Sequence, residues 1–240
     1  MSAGLTPPSE RAGQLWIPPS ASVASRKISL RGRGSFRGTI VNPLSHREMH
    51  YESTMERDAM YILLARPDVV DLIDQPPPVT FHDRERRKRS HTFDLEARLR
   101  CGKRIAFAIK QENQVAKSGI VDDLQLMREQ RPRGCADAMV LRTERHITRA
   151  RAANARLIFH SNSFRVDADV ARMRNFTMTL RGCAKISDIL KASIPEAAGF
   201  SALVCLIGDG ELVPIGNGLI SYDTPVRLRG EEVFVEEIAR

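Results

Sequence analysis

The run His91-Thr92-Phe93-Asp94-Leu95-Glu96-Ala97-Arg98-Leu99, the turn Cys101-Gly102-Lys103 and the return Arg104-Ile105-Ala106-Phe107-Ala108-Ile109-Lys110 decide how this chain folds. Both runs alternate apolar and polar or small residues with the period of two expected of strands, and the glycine between them reads as a hairpin turn. Asp94 falls in the first run and Lys110 ends the second. Only a plausible register across the turn is needed to bring them to the same sheet face.

Working outward, Glu52-Ser53-Thr54 opens a helix. Ser53 followed three residues later by Glu56 is a capping-box pattern, and capping alone accounts for Glu56. Met55, Ala59, Ile62 and Leu63 recur at helical spacing, and Pro67 closes the element. Val69 to Asp74 is a short apolar stretch before Gln75-Pro76-Pro77-Pro78. Val79-Thr80-Phe81-His82 reads as a strand that, with the two runs above, makes three antiparallel strands. A helix over roughly 116–131, a strand over Ala136 to Leu141 and a helix over about 144–160 follow, the last carrying Arg145, Arg149, Arg151 and Arg156 on its outer side. This order gives an α/β domain around a mixed sheet flanked by helices.

Three units are expected. Residues 1–45 read as a flexible arm, with Arg26, Lys27, Arg31, Arg33 and Arg37 set among Pro, Ser and Gly. Residues 46–165 form the α/β domain. In residues 166–240 Ser187-Asp188 caps a helix through about Ser193. Phe200 to Ile207 is a short helix, and Glu211 to Tyr222 is a hairpin turning at Asn217-Gly218. Helices followed by a hairpin suggest a small winged-helix-like domain. No Lys or Arg occurs from Ala192 to Val226 while Glu196, Asp209, Glu211 and Asp223 do, so this unit reads as a protein-docking domain rather than a DNA reader.

Composition narrows the function. A net charge of +8 and a pI near 9.7 favour a polyanion partner. Aromatic residues are only 5%, which points to backbone contact with duplex DNA rather than base stacking on single strands. The densest charge run, Asp83-Arg84-Glu85-Arg86-Arg87-Lys88-Arg89, reads as a hairpin loop. Arg84, Arg86, Arg87, Lys88 and Arg89 are its candidate DNA-contacting residues, and a solvated turn is the alternative. No run of about 18 apolar residues is present and the N-terminus lacks a signal-peptide pattern. Cys101, Cys135, Cys183 and Cys205 are far apart without a Cys-x-x-Cys pair, which fits free thiols in a cytoplasmic protein.

A carboxylate on a helix, a carboxylate on one strand and a lysine on the next can serve phosphodiester cleavage. Hard oxygen ligands hold Mg²⁺, which polarises the phosphate and lowers the pKa of a water, and a cation manages the attacking hydroxide or the developing charge. Spacing alone does not separate this arrangement from coincidence.

The segment His50-Tyr51-Glu52-Ser53-Thr54-Met55-Glu56-Arg57-Asp58, then Pro67-Asp68-Val69-Val70, then Asp74-Gln75-Pro76, resembles the opening of the TnsA-type transposon endonucleases. His91-Thr92-Phe93-Asp94 resembles their Thr-Pro-Asp-Phe strand, with Phe93 where proline is usual. Ala108-Ile109-Lys110 sits where they carry Glu or Gln, an apolar residue and Lys. Leu141-Arg142-Thr143-Glu144 resembles a later strand-to-helix corner. The resemblance covers about 36–160. It implies a restriction-endonuclease-like core with Glu56, Asp94 and Lys110 at the catalytic positions. Glu56 and Asp94 would be ligands of Mg²⁺ (or Mn²⁺). It also implies double-stranded DNA, a partner transposase (TnsB-like) and an ATP-dependent regulator (TnsC-like) as partners. Ala108 departs from the pattern because a methyl group cannot bind metal. The alternative is therefore a catalytically impaired DNA-binding or assembly factor that retains the fold.

Overall fold

A computed structural model describes residues 17–26, 36–193 and 197–230. It is a mixed α/β structure whose largest sheet is mixed and flanked by helices. The chain enters the folded body along residues 17–26. Ser20 bridges Arg47 in parallel, and the Ser22 hydroxyl donates to both oxygens of Asp74 at 3.0 Å. A hairpin follows, β1 (Gly38–Asn42) paired antiparallel with β2 (Arg47–Tyr51), and it buries Ile40 and Met49. The expected free arm over 1–45 therefore holds neither for 17–26 nor for 38–42. Residues 17–26 join the fold because Asp74, fully buried, needs donors and takes them from Ser22 and from the His50 N–H at 2.8 Å, while residues 38–42 join by pairing with β2 and by Asn42 Nδ2 donating to the Leu72 carbonyl at 3.1 Å. Lys27, Arg31 and Arg33 lie outside the described residues.

Helix α1 (Thr54–Leu64) is capped by Ser53, whose oxygen accepts the Glu56 N–H at 3.1 Å. It ends before Pro67, as its sequence predicts. Next come β3 (Val69–Asp74), β4 (Val79–His82), β5 (Lys88–His91), β6 (Leu95–Leu99) and β7 (Arg104–Ile109). Beyond them are α2 (Glu112–Ser118), α3 (Ile120–Gln130), β8 (Ala138–Arg142) and α4 (Arg149–Ser163). The main sheet runs β3-β6-β7-β8; its first two pairings are antiparallel, and β7 with β8 is parallel.

The third antiparallel strand of this sheet is β3, not Val79–His82, which pairs with β5 in a separate hairpin. Gln75 at φ +40° and the three prolines after it end β3 and turn the chain out of the sheet. The run expected as one strand over His91 to Leu99 is split. His91 closes β5, and the ladder resumes at Leu95 because Ile109 N–H bonds the Asp94 side chain instead of a backbone carbonyl. The helix expected over 116–131 is two helices, with Gly119 at φ +66° between them. The last helix of this part runs later than expected, at Arg149–Ser163.

Strand β7 divides the core. Ile105, Phe107 and Ile109 pack with α1 residues such as Ala59 and Leu63, while Ala106 and Ala108 pack with Ile120, Leu124 and Met127 of α3 on the other face.

A third apolar cluster is built from α5 (Asp167–Thr177), β9 (Cys183–Lys185), α6 (Ile186–Ala192), α7 (Ala197–Gly208), β10 (Leu212–Pro214) and β11 (Pro225–Leu228). The three strands form one sheet in the order β10-β11-β9. Two expectations fail here. Ser187 lies inside α6, whose N-cap is Lys185 without a side-chain cap. The Asn217-Gly218 turn does not close a hairpin onto 219–222, since β10 pairs with β11 across a longer connection. Helix α7 is longer than expected and buried from Ala202 to Gly208. It packs on both α5 and α4, so Ile158 of α4 belongs to this cluster. A Cβ on Gly208 would sit 2.6 Å from Ile158 Cγ2. Gly208→Ala is therefore expected to destabilise the protein by about 1–3 kcal/mol, read by chemical denaturation. A variant as stable as wild type would mean that α4 and α7 are not packed this closely.

Candidate active site

The hairpin expected from the sequence seats Asp94. Leu95 pairs with Phe107, so Asp94 lies one step further along, across from Ala108. Its N–H donates to the Phe107 carbonyl at 2.9 Å, and its Oδ2 accepts the Ile109 N–H at 2.6 Å. This fixes the carboxylate beside the residue that precedes Lys110. Lys110 itself is held by its N–H, which donates to the Arg142 carbonyl at the end of β8 at 3.1 Å.

Glu56 arrives from the first turn of α1. Its Oε2 accepts the Glu52 N–H at 2.8 Å and its Oε1 accepts the Ser53 hydroxyl at 2.9 Å. This is the expected capping pattern, with Glu52 rather than the N-cap as the reciprocal donor. Capping does not screen Glu56 from Asp94, whose carboxyl feels the charges of both Glu56 and Lys110. Burial pushes Asp94 up to about 6 and Glu56 pushes in the same direction; the Ile109 N–H, Lys110 and Arg26 oppose them. Asp94 thus lies within electrostatic reach of both Glu56 and Lys110.

A carboxyl held up to about 6 takes on a proton when the chain folds between about pH 4 and pH 6. Stability therefore falls as pH rises through that window; the penalty is absent below about pH 4 and complete above about pH 6. Asp94→Asn removes it and keeps an oxygen for the Ile109 N–H. The variant is expected to be more stable than wild type by about 1–3 kcal/mol at pH 8 and to converge with it near pH 4, as measured by urea unfolding across pH. Equal stabilities at pH 8 would contradict the burial of this carboxyl.

Three neighbours were not marked as site residues by sequence reading. Arg26 ion-pairs with Glu52 and donates from Nε to Gln75 Oε1 at 3.2 Å. Gln75 is buried, adopts a left-handed backbone and donates its N–H to the Asp94 carbonyl at 3.0 Å. His91 packs edge-on against Phe93 with ring centroids 4.7 Å apart, and its buried Nε2 has no hydrogen-bond partner among the described residues. Burial and then Lys110 hold the His91 imidazole below its usual value. The Gln75-Pro76 dipeptide was the one available signal; Arg26 and His91 reach the site only through tertiary structure.

Among the described residues, no group of three or more His, Cys, Asp or Glu is gathered closely enough to hold a metal ion. Asp94 and Glu56 can offer carboxylate oxygens, and two such ligands suit Mg²⁺, which keeps several waters. Ala108 adds nothing, since it is wholly buried in the apolar cluster on the α3 face.

The charged loop expected to contact DNA is the exposed β4–β5 turn. Its excess of positive charge is partly matched. Arg87 pairs with Asp83 at 2.8 Å and Glu85 at 2.9 Å, Arg89 lies 3.6 Å from Asp123, and Arg84 lies 4.0 Å from Asp122. The side chains of Arg86 and Lys88 make no ion pair with the described residues. The four cysteines are free. Among the described residues no helix is long and apolar enough to cross a membrane. Comparison with known proteins finds no matching family model and no matching curated relative.

Proposed function

We propose that this protein is a metal-dependent DNA endonuclease subunit of the TnsA type, cutting DNA at the ends of a mobile element together with a partner transposase. The observation that carries this reading is the hydrogen bond seating Asp94 on the Ile109 N–H, one residue before Lys110 and within the field of Glu56. The succession of α1, antiparallel β3-β6-β7, α3 and then β8 parallel to β7 supports a restriction-endonuclease-like core. A divalent cation, Mg²⁺ or Mn²⁺, held by Asp94 and Glu56 would polarise the phosphate and acidify a water. Lys110 supplies positive charge where the phosphate develops negative charge. Arg26, paired with Glu52, adds a second positive charge that acts on Asp94, and the β4–β5 loop presents Arg86 and Lys88 to the DNA backbone.

The order α5, β9, α6, α7, β10, β11 supports a winged-helix reading of the C-terminal part. The helix that would read DNA in that arrangement, α7, is buried against α4 and α5. That burial favours docking to a protein, the ATP-dependent regulator being the candidate, over DNA recognition.

A second reading is favoured by Ala108. In it the chain is a DNA-binding assembly factor that keeps the fold and does not cut. Supercoiled DNA carrying element ends, incubated with the protein, its transposase partner and Mg²⁺ or Mn²⁺, separates the two. Nicked or linear product that disappears with Lys110→Ala supports the nuclease. Uncut DNA that is nonetheless bound by wild type supports the assembly factor.

A further inference from the structure

Helices α1 and α4 lie side by side and run the same way. Asp58 sits 3.9 Å from Arg156, and one turn on Tyr61 meets Phe159 edge-on with ring centroids 5.1 Å apart. Both helices therefore present their N-terminal ends at one opening. It is a groove of about 670 Å³, lined together by Thr54, the first residue of α1, and Arg149, the first of α4. The small side chain of Ala153 leaves room between them, and the exposed Leu219 of the β10–β11 connection edges the far side. Ser53 and Thr148 each cap one backbone N–H, and the other first-turn N–H groups have no acceptor within their own helix.

Positive charge dominates this groove. Asp58 is the one acid among its lining residues, and its Oδ1 already accepts from Arg57 Nε at 3.0 Å and Nη2 at 2.8 Å. At 3.9 Å from the same oxygen, Arg156 is beyond hydrogen-bond distance and keeps its donors. Arg149 is exposed, and its side chain makes no ion pair or hydrogen bond with the described residues. Arg149 and Arg156 are seven residues apart, so they share one face of α4 and stand about 10 Å apart along its axis. The dipoles of the two helices add to the positive potential at the same end.

We propose that this groove holds the sugar–phosphate backbone of one DNA strand, with Arg149 and Arg156 on separate phosphates. Guanidinium forks match phosphate oxygens in pairs, and two forks set a turn or more apart suit a polyanion rather than one small ion. The open N–H groups and dipoles at the two helix ends favour the same partner. The inference deepens the DNA reading above and rests on it. Thr54 shares the first turn of α1 with Glu56, so a strand lying in the groove passes the helix end that carries the candidate site. It gives the duplex a second grip, separate from the β4–β5 loop.

The test is fluorescence-anisotropy binding of the full-length protein to a labelled duplex, repeated from about 50 to about 200 mM sodium chloride. In wild type the logarithm of affinity is expected to fall linearly with the logarithm of salt concentration. Arg149→Gln and Arg156→Gln are each expected to make that slope shallower by about one, and the double variant by about two with a loss of affinity of about tenfold or more at the lowest salt. Arg149→Lys, which keeps the charge, is expected to keep the slope, and so is Lys103→Gln, exposed in the turn before β7. Urea unfolding of the variants is expected to match wild type, since neither arginine is buried. A wild-type protein that binds no duplex overturns the DNA reading and this inference with it. Duplex bound by the double variant with the wild-type affinity and slope overturns the groove alone and leaves it to another anion, such as an acidic protein segment.

Discussion

Lys110→Ala is expected to slow DNA cleavage by about 10²–10⁴-fold while changing duplex affinity little. In the proposed reaction the ammonium acts on charge that develops at the phosphate, so its loss would fall on the rate and not on the encounter with DNA, to which the rest of the +8 surface would contribute. Folding should be nearly unaffected. Lys110 is only half-buried, and what anchors it to β8 is its backbone N–H, which alanine retains. Single-turnover cleavage and fluorescence-anisotropy binding on the same duplex separate the two quantities. If affinity and rate fall together by the same factor, Lys110 is a DNA contact and not part of the chemistry.

Ala108→Glu is expected to lower stability by about 2–4 kcal/mol. The position has no exposure and belongs to the cluster formed by Ile120, Leu124 and Met127. A larger polar side chain there must displace apolar neighbours, bury a carboxyl, or bend toward Asp94 across the hairpin. The last route leads toward the proposed cation site, which makes the variant informative. If the new carboxylate reaches it, millimolar Mg²⁺ recovers part of the lost stability in the variant and less in Ala108→Gln. Unfolding curves of the three proteins with and without Mg²⁺ read this directly. A variant as stable as wild type without metal would mean that position 108 opens onto solvent, contrary to its packing. The same burial affects any attempt to restore a third ligand by mutation, because cleavage by Ala108→Glu must be scored against its folded fraction.

The hairpin at the centre of the molecule was legible because its signals are local. Alternation over Leu95–Leu99 and Arg104–Ile109 and a glycine turn with Gly102 at φ +87° specify both strands and their register. That register carries Asp94 and Lys110 to one place. Glu56 was legible as a cap from spacing, and its electrostatic reach to Asp94 depends on where α1 packs. The strand β3 was missed because its apolar run carries no clean alternation and its partner β6 lies 20 or more residues away. Val79–His82, nearer in sequence, looked the better neighbour. Gly119 inside a helical pattern gave no sign of the left-handed backbone that divides α2 from α3. At the C-terminal end the Asn217-Gly218 signal misled. The true partner of β10 begins only at Pro225, and a longer connection spans the gap. Arg26 was read as part of an arm since nothing near it in sequence reveals Asp74, the buried carboxylate that draws residues 17–26 onto the fold. His91 and Gln75 join the site through the split between β5 and β6 and the sharp turn after β3. Both are tertiary events that periodicity does not encode.

Binding of Mn²⁺ to the wild-type protein and to Asp94→Asn, followed by titration calorimetry or by the electron paramagnetic resonance of the free ion, tests the candidate site most directly. One cation bound by wild type, with affinity reduced about tenfold or more in Asp94→Asn, is the predicted result. Equal binding by the two proteins, or no binding by wild type at millimolar Mn²⁺, would contradict a cation site at Asp94 and Glu56.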